Sequence, residues 1–182
     1  MSASGVTQIS LAVGARTGAI ELTGRANVAC SGVFKDVVQH LRDERVERIY
    51  IFLKSCLLMD STFLGVLAKE AVSDSEEPSG EPARIELVQP SERVLGLIEN
   101  LGVLDSFEIS KGVPDITFQF QPVSIEVPAD LRELSRISLD AHRALIDLNE
   151  ENRARFEGVT SLLEQELGEE PSGDSTSESA SK

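Results

Sequence analysis

Asp60, Ser61 and Thr62 are three consecutive oxygen-bearing side chains set between two apolar patterns. Before them, Ile49-Tyr50-Ile51-Phe52-Leu53 reads as a buried strand. After them, Phe63, Leu64, Val66 and Leu67 fall at helical spacing. The trio therefore stands at a predicted strand-to-helix junction, where Asp, Ser and Thr are preferred N-cap residues. The first N–H groups of a helix have no intrahelical acceptor, and the macrodipole is positive there. These side chains can simply cap the helix, the commonest use of their types. The same entrance also stabilises an anion, including a phosphate carried covalently by Ser61 or Thr62.

Other chemistries fit the residues less well. A hydrolase built on Ser61 needs a linked base and an oxyanion loop. The chain has only His40 and His142, and Ser61 is flanked by Asp60 and Thr62 rather than by the glycines of a nucleophile elbow. His40 falls on a predicted helix with no acid or nucleophile tied to it by spacing, which makes it a surface or boundary residue. No enzymatic activity is expected. Cys30 and Cys56 are too few for a disulfide framework and sit among small or apolar neighbours, the setting of buried free thiols. With two histidines they form no metal-ligand spacing, so no cofactor is expected.

The elements that must position the junction can be read in order. Gln8–Val13 and Ala19–Thr23 alternate polar and apolar residues around Gly14–Gly18, which predicts an antiparallel hairpin. Gly24-Arg25-Ala26-Asn27 breaks the pattern, and Asn27 is either a turn residue or part of the site. Ser31 is a candidate cap for a helix with Val33, Phe34, Val37, Val38 and Leu41 on one face. Ile49–Leu53, apolar throughout, predicts a central strand covered by helices on both faces. The junction helix runs to about Val72. Residues 73–82 form a polar, acidic loop rich in helix breakers. Ile85–Val88 is the next strand, and Ser91 to Gly102 brackets a helix with Val94, Leu95, Leu97 and Ile98 inward. Ile116–Phe120 alternates and predicts an edge strand.

Together these pieces resemble the STAS domain of bacterial anti-sigma factor antagonists. Met59-Asp60-Ser61-Thr62 and Leu64-Gly65-Val66-Leu67 match the family signature, with Phe63 where the family has glycine. Ile20-Glu21-Leu22-Thr23-Gly24 resembles its second strand. Arg84 to Val94 resembles its last core strand and the helix that follows, and Leu101-Gly102-Val103 resembles the end of that helix. The resemblance implies a mixed sheet of four to five strands packed with helices. It implies that Ser61 is the phosphoacceptor, Thr62 a capping neighbour or second site, and Asp60 an orienting acid. It also implies a partner surface around Asn27, Asp60, Thr62, Phe63 and Leu64, read by an anti-sigma factor that is itself a serine kinase, with a phosphatase to reverse the switch. Asn27, and Lys54 with Ser55, stand where the family often carries acids. Phe63 either blocks the close approach of another chain that glycine would allow, is an exposed anchor, or packs inward with the helix entrance slightly re-angled.

The resemblance covers residues 1–121. Residues 122–168 read as an extended connector followed by amphipathic helix, either one long helix or two broken near Asn149–Asn152. The apolar stripe of Leu131, Leu134, Ala141, Leu145, Leu148, Phe156, Val159, Leu163 and Leu167 must face the domain, a second copy in a homodimer, or another partner. Residues 169–182 are Ser/Glu-rich and are expected to be disordered. Over 182 residues the net charge is −14, which disfavours nucleic acid and anionic membrane surfaces as direct ligands. No apolar stretch is long enough to span a bilayer and Met1–Gly5 is no signal peptide, so a cytoplasmic protein is expected. The resemblance thus leads to a phosphorylation-regulated interaction module. A non-phosphorylated scaffold, recruiting or dimerising through its C-terminal helix, is the second reading.

Overall fold

The computed structural model describes residues 7–73, 83–126 and 130–169. Apart from Ser73 and Glu169, the acidic loop at 73–82 and the tail at 169–182 lie outside the described residues.

A seven-stranded mixed sheet runs in the order β6-β5-β3-β2-β1-β7, with β4 paired to β2 off that path. Its strands are β1 (Gln8–Val13), β2 (Thr17–Ala26), β3 (Arg48–Phe52), β4 (Cys56–Met59), β5 (Arg84–Val88), β6 (Glu108–Ser110) and β7 (Gln121–Val123). The helices are α1 (Val28–Asp43), α2 (Ser61–Val72), α3 (Glu92–Asn100), α4 (Leu131–Leu148) and α5 (Arg153–Leu167). The antiparallel β1–β2 hairpin pairs Ile9 with Leu22 and Leu11 with Ile20. β3 is parallel to both β2 and β5. The count exceeds the four to five strands expected because β4, β6 and β7 are only three or four residues long, too short to show a periodicity.

The helices cover one face of the sheet. Ile9, Ile20, Leu22, Ile49, Ile51, Ile85 and Leu87 point into that layer and join Phe34, Val38 and Leu41 of α1 and Leu64 and Leu67 of α2 in a continuous core. The expectation of helices on both faces of β3 is corrected here. On its far face Tyr50 and Phe52 meet Phe118 and Phe120, with ring centroids 5.7–5.8 Å apart. Arg48 on the same face donates to both Glu86 and Glu108 at 2.8 Å. The segment carrying Phe118 is extended enough for Phe118 and Phe120 to share a side, yet it forms no strand. The ladder comes later, where Gln121–Val123, its last two residues expected as connector, pairs antiparallel with Leu11–Ile9. Pro122 is tolerated there because β7 is an edge strand.

Two local assignments also change. Asn27, not Ser31, caps α1. Its side chain accepts from Ala29 N, while Ser31 lies inside the helix and donates to Asn27 O. The C-terminal stripe is two helices, and the break falls at Asn149, whose side chain accepts from Glu151 N and so starts a short turn. Asn152, buried in that turn, donates to Leu101 O at 2.8 Å and Leu145 O at 2.9 Å. Gly102, with φ +61°, ends α3 so close to Asn149 that a Cβ there would lie 2.1 Å from Nδ2. The α4–α5 hairpin is thereby pinned at its turn to the end of α3, and Ala141 and Leu145 of α4 join the core.

Candidate functional site

The site forms where two parallel strands end side by side. β4 pairs with β2 so that Met59 lies opposite Ala26, and Asp60 N donates to Ala26 O at 3.0 Å. Each strand feeds a helix, so the starts of α1 and α2 converge. Asp60 serves both. Its Oδ1 accepts from Phe63 N at 2.8 Å and caps α2; its Oδ2 accepts from Val28 N at 3.2 Å, the first residue of α1. One carboxylate therefore satisfies orphan donors of two helices and lies at the positive end of both dipoles. Asn27 completes the α1 side, with its own N–H donating to Cys30 Sγ.

Ser61 is the first residue of α2, half-buried, and its Oγ lies 3.0 Å from His142 Nε2. Thr62 is 7% exposed, with Oγ1 3.1 Å from Ser138 Oγ. Ser138 and His142, four residues apart, share the face of α4 laid along α2. Between them sits Ala141, against Gly65. A Cβ at Gly65 would lie 2.3 Å from Ala141 O and 2.8 Å from Ala141 Cβ. The two helices approach this closely because both residues are minimal there. His142 is 6% exposed and stacks on Phe156 of α5, ring centroids 4.6 Å apart. Burial pushes its pKa below 6.5, against a smaller opposing pull from the Asp60 carboxylate. The ring is therefore neutral at neutral pH. Burial likewise pushes the Cys30 and Cys56 thiols up, the Asp60 charge adding to the effect at Cys30, and both cysteines are free and buried.

Phe63 and Leu64 point into the core and are fully buried, Phe63 with its ring 4.9 Å from that of Phe34. Of the residues expected to meet a partner, only Asn27 and Asp60 keep partial exposure, as does the phosphoacceptor candidate Ser61. Beside them Leu57, 58% exposed, and Leu58 stand out on β4. They were hidden in the sequence inside an apolar run that reads as core. His142 and Ser138 were missed because their partners lie 81 and 76 residues away. The presence of Ala141 in the apolar stripe was the one available signal that α4 packs closely on something.

The Ser61–His142 pair is not a triad. Among the described residues His142 Nδ1 meets no hydrogen-bond partner, so no acid orients the ring as a base. A cleft of about 330 Å³ between α2 and α4 opens beside Lys69 and Val72, at the far end of α2. Among the described residues no group of side chains could hold a metal ion, and no helix is long and apolar enough to cross a membrane.

The chain is thus a mixed α/β domain with helices layered on one face of the sheet, Asp-Ser at the β4–α2 junction, and a C-terminal helical hairpin, an arrangement in keeping with the STAS-like fold that the sequence resemblance implies. No family model and no curated protein matches the sequence. Among solved structures the chain is similar to the anti-sigma factor antagonist SpoIIAA in its unphosphorylated form, at 20% identity and TM-score 0.43, over 58% of this chain and 89% of that one. It is similar to the phosphorylated form of the Bacillus cell fate determinant SpoIIAA at 18% identity and TM-score 0.41, over 58% and 92%. It is also similar to SLC26A9 at 12% identity and TM-score 0.43, over 86% of this chain and 26% of that one.

Proposed function

We propose that this chain is a phosphorylation-regulated protein-interaction module of the anti-sigma factor antagonist type, with Ser61 as phosphoacceptor. Its partners are a cytoplasmic serine kinase that doubles as the anti-sigma factor, and a phosphatase that reverses the modification. The observation that carries the reading is the position of Ser61. It is the first residue of α2, next to a carboxylate that already draws N–H groups from two helix starts. A phosphate on Ser61 adds about 1.5 to 2 negative charges. They would arrive beside Asp60 on a chain of net charge −14 and repel acidic groups of a docked partner.

Mass spectrometry of the Asp60–Lys69 peptide, from protein isolated from its native cells under growth and stress, tests the assignment. Phosphate on Ser61 is expected, with partner capture retained by Ser61→Ala and lost by Ser61→Asp. A well-detected peptide that never carries phosphate would sink the reading. The second reading, a non-phosphorylated scaffold, draws on the outer face of α5, where Val159 and Leu162 are exposed. Under it, Leu162→Glu abolishes partner capture and Ser61→Asp leaves it intact.

A further inference from the structure

The hydroxyls of Ser61 and Thr62 are not free at the helix entrance, because α4 lies over them. The contact is broad and shares the core through Ala141 and Leu145, and three of its features bear on how it opens. Its polar part is thin, a hydroxyl–imidazole pair and a hydroxyl–hydroxyl pair. Its closest point is Gly65 against Ala141, where one added methyl group would meet backbone. Its far end opens into the cleft beside Lys69. The α4–α5 contact is built differently. Arg143 reaches Glu164 at 2.9 Å and Glu169 at 3.2 Å, Arg136 reaches Glu169 at 3.1 Å, and Arg132 donates to Leu167 O at 3.0 Å. Phe156 of α5 backs the ring of His142. The hairpin is thus held together by several charge-assisted contacts, whereas its broad contact with the phosphoacceptor helix is mainly apolar and carries few polar pairs.

We propose that the α4–α5 hairpin is a removable cap that occupies the α2 face in cis and must lift for Ser61 to be phosphorylated or read by a partner. This rests on the assignment of Ser61 as phosphoacceptor. With the cap down, Ser61 Oγ is 3.0 Å from His142 Nε2, leaving no room for a phosphoryl group between them. Modification and docking of α4 therefore exclude each other. Phosphorylation of the lifted form holds the cap open, while an empty Ser61 lets it close. A kinase or anti-sigma factor that grips α2 competes with the chain's own helix, and the cap sets a threshold for switching. The turn anchored on Leu101 by Asn152 is the pivot, which keeps the hairpin tethered when α4 leaves.

Full-length Ser61→Cys protein, probed with a small aromatic disulfide reagent, reads the cap directly and needs no kinase. The introduced thiol is expected to react slowly, at a rate set by opening of the hairpin. In the Gly65→Ala background, where the new methyl group pushes on Ala141, it should react about tenfold faster or more, the size of effect expected when local opening is weakened. His142→Ala is the second background, should Gly65→Ala fail to fold, and is expected to act in the same direction. Cys30 and Cys56, buried in the core, report on global opening and should keep their slow rates. An introduced thiol with the same rate in both backgrounds overturns the cap. So does acceleration in step with the two native thiols, because the domain would then be opening as a whole. Phosphate on Ser61 in cells is scored separately, so a failed cap and a failed phosphoacceptor assignment give different results.

Discussion

Replacing Phe63 with alanine tests where the residue that departs from the family signature points. Phe63 is 0% exposed, at the third position of α2, and its ring stacks at a tilt on Phe34, which is equally buried. Truncating a fully buried phenylalanine costs about 3–5 kcal/mol from lost transfer energy and the cavity left behind. The ring pair adds about 0.5–1.5 kcal/mol of coupling beyond area burial, so Phe34→Ala and Phe63→Ala combined should cost less than their sum by that amount. Equilibrium urea unfolding followed by far-UV circular dichroism is the assay, since the chain has no Trp and one Tyr. A domain of ordinary stability, about 5–15 kcal/mol, would lose much of it. Should Phe63→Ala be unfolded, Phe63→Leu keeps most of the volume and should cost less than about 1.5 kcal/mol. A change under about 0.5 kcal/mol for Phe63→Ala would refute the reasoning, for that is the behaviour of a surface residue. Phe63 would then be free to act as a partner anchor.

Three further perturbations follow from the site. Asp60→Ala removes the cap of α2 and the acceptor for the first N–H of α1, and should cost about 1–2 kcal/mol or more in urea unfolding; Asp60→Asn, which can still accept from Phe63 N, should cost less. Asn152→Ala strips the buried donors from Leu101 O and Leu145 O, and should destabilise by about 1–3 kcal/mol, with faster amide exchange in α4 and α5. His142 gives a pH signature. Its folded pKa lies below 6.5, so the unfolded chain binds more protons as pH falls. Stability should be flat above about pH 6.5, fall as the pH drops from there to the folded pKa, then level off in this contribution. His142→Gln should remove that part of the slope, and an unchanged pH profile would show that the ring is not the titrating group.

Much of this protein was legible because its signals are local. Alternation around Gly14–Gly18 predicts the β1–β2 hairpin, helical spacing predicts α1 and α3, and the Asp60-Ser61-Thr62 cluster predicts a cap for α2, which the structure assigns to Asp60. These follow from backbone periodicity and from orphan N–H groups that a neighbouring side chain must satisfy. What needed tertiary structure were relations between distant segments. Nothing near Asp60 says that its second oxygen serves α1; the pairing of β2 with β4 decides that. Phe63 could face either way until Phe34 was placed beside it. Gln121–Val123 is too short and too proline-marked to read as a strand until β1 offers it an edge. The stripe on α4 and α5 required a partner, but an amphipathic face does not name what it buries against. The fold supplied that partner through Gly65 and Ala141, two small residues that let α4 lie close against α2, and so brought His142 to Ser61 across 81 residues of chain.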